Sequence, residues 1–396
     1  MREGWRETTL GEVADINPEP TPRWPNDHEI KYVDIASVAW GKALDASMIR
    51  PQPFGSAPGR ARRLIRAGDV VVSTVRPNLK AMATVPPELD GEVASTGLAV
   101  LRARDDVSLP GYVWALVSHQ DFSEDMVRKA TGSNYPAVRP ADVSSYPVLL
   151  PPLSEQRRIV DLIGAVDDAI EAADSVVARD LYDAALGLLT GNPGHDQPLG
   201  SALSLKRESE PVVRDLHYRI LGVLRSGEGF IDRGVIHGSE TGYARMTKVG
   251  TDQLVYRKLT AWEGPISVSS EEEAGGWVSP EFPVFNVNSS LLRPALLRHY
   301  CRWPGLWSRI GDRLVGSVQR RKRLNPDALV QIQLPIPPLE TQDSWVFALD
   351  GMWEVVSQRA NAEADLRTLR SNLLTALLSG EHEMPESYDE LIEEAS

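Results

Sequence analysis

A single cysteine, Cys301, in 396 residues rules out an internal disulfide framework and a cysteine-rich zinc site, and fits a reducing compartment. No apolar run approaches the roughly 20 residues of a membrane span, and the opening MREGWRETTLGEV lacks the apolar core of a secretion signal. The expectation is a cytoplasmic chain without membrane contact. Catalytic signatures are missing too: there is no GxxxxGK[ST] phosphate loop, no GxGxxG turn and no HExxH pair among the seven histidines. His217, His237 and His299 are scattered singly, and Glu271, Glu272 and Glu273 read as a solvated loop. Nothing here predicts catalysis or a metal site on this chain.

The net charge of −13 argues at first against a nucleic-acid partner, but its distribution removes that objection without itself proposing such a partner. Residues 381–396 carry −7, residues 154–190 carry −5 and residues 340–380 carry −3. What remains is nearly neutral: −2 over residues 1–153 and +4 over 191–339. The acidity belongs to two helical runs and a tail, and two blocks are left free to meet DNA.

A repeat organises the chain. LPPLSEQRRIV, from Leu150 to Val160, returns as IPPLETQDSWV from Ile336 to Val346. A double proline removes amide donors and crowds the preceding turn, so each phrase marks a helix start. After Ser154, Ile159, Ile163, Val166, Ile170, Ala173, Val177, Leu181, Ala184 and Leu188 follow a heptad seam with one extra residue. Gly191 and Pro193 supply its stop, which predicts one helix of about 36 residues, on the order of 54 Å long. The second seam reads Trp345, Leu349, Met352, Val356, Ala360, Leu366, Leu369, Leu373 and Leu377, so each helix can satisfy the other as an antiparallel pair. The repeat extends into the blocks: GDVVVSTVRPNLKA is echoed by TDQLVYRKLTA, VASTGLAVLRA by WVSPEFPVFNV, and TGSNYPAVRPADV by VGSVQRRKRLNPDAL, at an offset near 186. The fold class expected is α+β: block 1–153, helix 154–191, block 192–339, helix 340–380 and an acidic, flexible tail 381–396. GYVWALVSHQDFSEDMVRKA reads as a further helix in the first block.

Each block offers polar loops. In the first, Arg60, Arg62 and Arg63 precede Arg76, Asn78 and Lys80, followed by Ser133, Asn134, Tyr135 and Arg139. In the second, Arg257, Lys258 and Trp262 take the place of Arg76 to Lys80, followed by Ser317, Gln319, Arg320, Arg321, Lys322 and Arg323. Arginine and asparagine forks match guanine and adenine edges, while serine and lysine hold phosphates. These residues are the candidate double-stranded DNA contacts.

The two PPL phrases, the LGEV opening, GDVVVSTVRP and the TGSNYP loop together resemble the specificity subunits of type I restriction-modification systems, and the resemblance covers nearly the whole chain. It implies two tandem target recognition domains, each reading one half of a bipartite DNA site, with the long helices paired as an antiparallel coiled coil. It also implies two methylation subunits as partners, bringing S-adenosylmethionine, and a restriction (motor-nuclease) subunit bringing ATP and Mg. This chain itself would be non-catalytic and hold no cofactor. Gln156, Arg157 and Gln342 are the expected docking positions. The alternatives are a coiled-coil assembly scaffold and the specificity module of another phage-defence complex.

Overall fold

The computed structural model describes residues 4–38, 44–191, 196–316 and 322–380. Ser317, Gln319, Arg320, Arg321 and the tail 381–396 lie outside the described residues. The chain divides into two compact units, one from residues up to Ala173 together with those from Ala362 onward, the other from Asp174 to Asn361. The secondary structure is α+β throughout.

In the first unit an antiparallel sheet runs in the order Ala14–Ile16, Leu98–Ala103, Val70–Ser73, Met82–Thr84. Val70–Ser73 is buried on both faces, which suits its β-branched run. Its alternation divides the core in two. Val70 and Val72 pack with Leu101, Tyr112 and Phe122, whereas Val71 packs on the other side with Val33, Ile65 and Val100. Each such side chain contributes about 1.5–3 kcal/mol on burial. A second sheet, in the order Pro51–Pro53, Glu29–Val33, Val93–Ser95, Ala61–Leu64, includes one parallel pair, Tyr32 opposite Val93. The expected helix from Gly111 to Ala130 is instead two, Pro110–Ser118 and Gln120–Lys129. His119 between them is extended, and its ring accepts the Asp121 N–H as a cap.

The second unit repeats this plan. Its antiparallel sheet runs Leu203–Leu205, Val284–Val287, Gln253–Tyr256, Ile266–Val268. The pairing of Leu254 with Phe285 corresponds to that of Val70 with Leu101. The companion sheet again holds one parallel pair, Ile220 opposite Trp277, and gains a short edge strand, Glu210–Pro211.

The long helices close the cores. Ile159 and Ile163 join Leu374 and Leu377 in the first unit, and Tyr182 and Leu186 join Leu349 and Val356 in the second. The C-terminal helix is continuous over Leu339–Leu378, about 60 Å. The central one is not the single 36-residue rod expected from its seam. It is split into Leu153–Ala172 and Val176–Thr190. Asp174 accepts the Val176 N–H and so caps a new start, the local bonding by which aspartate competes with a helix. The extra residue in the heptad count falls at this break, and it changes which side chains are buried. Beyond it, Val177, Leu181 and Leu188 are exposed, and Tyr182 and Leu186 carry the core instead.

Candidate nucleic-acid interface

In the first unit the loop leaving Val70–Ser73 is built by its own polar groups. The Ser73 hydroxyl donates to the Val75 carbonyl, and Thr74 Oγ1 donates to Gly97 O, both within 3 Å. Val75 then bridges Ala137, which also bridges Thr131. This brings two segments separated by some sixty residues, Arg76–Lys80 and Ser133–Arg139, to one place. Ser133, Asn134, Tyr135, Arg76 and Asn78 are all exposed there, and Lys80 is half-buried. The glycine of TGSNYP is required: Gly132 has φ +107, and a Cβ on it would meet the Tyr135 carbonyl at 3.2 Å.

The 3₁₀ turn Pro77–Leu79 is flanked by left-handed residues at both ends, Arg76 at φ 51 and Lys80 at φ 52. Neither is glycine, so each costs on the order of 1–2 kcal/mol. The second unit has the same turn, Ala261–Glu263, between Thr260 at φ 55 and Gly264 at φ 68. Thr260 is β-branched, and three bonds hold it in this conformation. Its N–H donates to Lys322 O, its hydroxyl accepts from Arg257, and the same hydroxyl donates to Glu263. Leu259 bridges Arg323, which also bridges Val315, repeating the Val75, Ala137 and Thr131 arrangement. Backbone strain at corresponding loops of two units is a signature of sites kept for function.

The side chains differ. Arg76 lies over the Tyr135 ring, its guanidinium carbon 4.6 Å from the centroid, and its Nη2 donates to the Asn134 carbonyl at 3.3 Å. Arg139 is exposed but engaged: Asp142 accepts from its Nε, its Nη2 and its N–H. That pairing holds the Asp142 carboxyl down at about 2. Trp262 sits where the first unit has Asn78 and is partly exposed. Arg257 does not occupy the place of Arg76. It rises from the strand end, where it pairs with Glu263 at 2.9 Å and donates to Leu259 O. Lys258 beside it is half-buried and its N–H donates to Glu281 O; Arg323 pairs with the Glu281 carboxylate. Lys322 presents its carbonyl to Thr260.

The Arg60, Arg62 and Arg63 group is held within the companion sheet. Arg60 bonds Tyr32 Oη and Asp34, Arg62 donates to Gly59 O, and Arg63 is half-buried and donates to Leu98 O. Burial lowers the Arg63 pKa. Arg63 is therefore a structural residue rather than a free DNA contact.

Gln156 and Gln342 require correction as docking positions, because both are fully buried. Gln156 Oε1 accepts the Leu109 N–H, and its Nε2 donates to Val107 O and Pro151 O. Gln342 does the same in the second unit, accepting from Arg293 N and donating to Leu291 O and Pro337 O. Each satisfies the unpaired backbone groups where a PPL helix and a block helix begin side by side. Arg157 is exposed. Sequence reasoning missed Asp142 and Glu263. The first had a legible signal, an acid three residues after the arginine that precedes a helix-starting Pro140. The second had none, since it depends on the turn's conformation.

No family model matches the chain. Over 176 residues it is 26% identical to the Type I restriction enzyme HindI specificity subunit of Haemophilus influenzae (strain ATCC 51907 / DSM 11121 / KW20 / Rd). That alignment covers 42% of this chain and 36% of the relative, so it spans about a third of the curated protein. Among solved structures, a chain from a study of complex assembly and conformational transition in the type I R-M system aligns over 96% of this chain and 98% of its own, at 26% identity and a TM-score of 0.52. The type I restriction-modification system S subunit from M. genitalium aligns over 96% and 97%, with a TM-score of 0.55 and 13% identity, a likeness of fold alone. In sequence over part of its length, and in fold over nearly all of it, the chain is a relative of the specificity subunits of type I restriction-modification systems.

Proposed function

We propose that this chain is the DNA-specificity subunit of a type I restriction-modification complex, reading a bipartite double-stranded site through one target recognition domain in each unit. The observation that carries this reading is the repeated loop pair: in both units a strand-exit turn with left-handed ends is bridged to a second polar loop. Two related readers on one chain suit an asymmetric site with two specified halves. The chain contributes base contacts and no catalysis. S-adenosylmethionine belongs to two methylation subunits, and ATP and Mg to a restriction subunit, in the cytoplasm. No described helix is long and apolar enough to cross a membrane.

The antiparallel coiled coil is part of this reading. Arg370 meets Asp167 in the first unit and Trp353 meets Tyr182 in the second, an order that runs forward on one stretch and backward on the other. With Gln156 and Gln342 buried, methylation-subunit docking falls to the exposed Arg157 and to exposed apolar side chains on these helices, chiefly Leu188 and Phe347. Footprinting of the assembled complex on its methylated-site DNA tests the reading against a purely assembling scaffold. Two separated segments of base-specific major-groove protection are expected; protection of the backbone alone, at random positions, would contradict it.

A further inference from the structure

Among the arginines of the candidate loops, Arg60, Arg139, Arg257 and Arg323 each face a carboxylate. Arg76 is held differently. Its N–H donates to Pro136 O at 2.7 Å, the following Pro77 begins a 3₁₀ turn, and Tyr135, itself 70% exposed, lies under its guanidinium. Its side-chain hydrogen bond uses Nη2 and goes to a backbone carbonyl. The fork is thus oriented by a ring and a carbonyl, neither of which neutralises it, and among the described residues no hydrogen bond engages its Nε or Nη1.

A planar cation presented this way suits an acceptor pair more than a single charge. A phosphate also takes an arginine fork, but this one is held in a fixed plane on an exposed loop by Tyr135 and the Asn134 carbonyl, an orientation that matches two adjacent ring acceptors. In the major groove the base edge with two adjacent acceptors and no donor is that of guanine, N7 beside O6. Asn78 and Asn134, exposed nearby, have the amide chemistry that adenine takes, and leave the guanine role to Arg76.

We propose that Arg76 reads the N7 and O6 edge of one guanine in the first half-site, with Tyr135 as the residue that positions its fork. This rests on the DNA-reading assignment above. A phosphate contact by Arg76 is the competing use of the same cation.

The test uses the complex of this chain with its methylation subunits and duplexes carrying the motif found by methylome sequencing. Each base pair of the first half-site is replaced in turn, and each guanine is separately replaced by 7-deazaguanine, which removes the N7 acceptor without altering the protein. One guanine position should lose about tenfold or more in affinity on either change with the unaltered chain. Arg76→Ala should abolish discrimination at that position while keeping it elsewhere, and Tyr135→Phe should preserve it. If Arg76→Ala keeps that discrimination, the inference fails, and if it also weakens all duplexes alike with a shallower salt dependence, Arg76 contacts phosphate while DNA reading stands. If no guanine is sensitive to 7-deaza substitution, the inference fails as well. If Arg76→Ala and Asn134→Ala change neither affinity nor motif, the assignment of these loops to DNA falls with it.

Discussion

At the scale of single residues, the fold depends on two glutamines that the sequence alone presents as surface groups. Gln156 and Gln342 each close one amide donor and two carbonyls at a paired helix start. Replacing either by alanine leaves buried backbone groups unpaired and should cost about 2–4 kcal/mol, read as a lowered denaturation midpoint of the whole chain. The spacing from PPL to glutamine was visible in both copies. Its burial was not, because only the folded block brings Leu109 or Arg293 alongside. The exposed Arg139 pairing carries a different expectation. Asp142→Asn should leave the denaturation midpoint nearly unchanged. It should tighten binding of the complex to DNA and steepen its salt dependence, as Arg139 is released toward the duplex.

At the scale of elements, the apolar seams made both helical runs legible, and the four PPL prolines fixed their starts. The break at Ala173–Ser175 was written only as an irregular heptad step, since alanine, aspartate and serine do not forbid a helix as proline does. Its consequence for packing can be measured. Leu186→Ala should destabilise by about 2–5 kcal/mol, whereas Leu181→Ala, in the seam the unbroken helix would have used, should stay within about 0.5 kcal/mol. Tyr182 on the same helix takes part in a pH dependence centred on His299, which lies on the helix Pro294–Arg302. His299 is buried between the Tyr182 hydroxyl, 2.8 Å from Nδ1, and Asp350, 3.0 Å from Nε2. Burial, with Arg302 and Arg298 adding repulsion, pushes its pKa down to about 4. Between an unfolded value near 6.5 and that folded value the unfolded chain binds a proton that the native one does not. Stability is therefore complete above about pH 6.5 and declines as pH falls toward 4, by an amount on the order of 3 kcal/mol. Urea denaturation at pH 7 and pH 4.5 should show the loss, and His299→Gln should flatten it.

At the scale of the whole molecule, the duplication was the most legible feature. Its echoes in the strands now coincide with matched pairings, Val70 with Leu101 and Leu254 with Phe285, and with matched parallel pairs in the companion sheets. Charge was the least informative quantity taken as a total and became useful once divided along the chain. The candidate loops were legible as segments, but not in their detail. Short-range periodicity cannot show that Thr260 rather than Arg257 takes the left-handed place of Arg76, since that follows from how each strand ends. The proposed function gives one chain two repeated readers of DNA. It is tested most directly by methylome sequencing of cells that express the complete complex with loop substitutions in one unit at a time. Asn134→Ala with Tyr135→Ala should alter only one half of a two-part methylated motif, and Trp262→Ala with Arg323→Ala only the other. A motif with a single contiguous half, or one left unchanged by both pairs, would contradict the account.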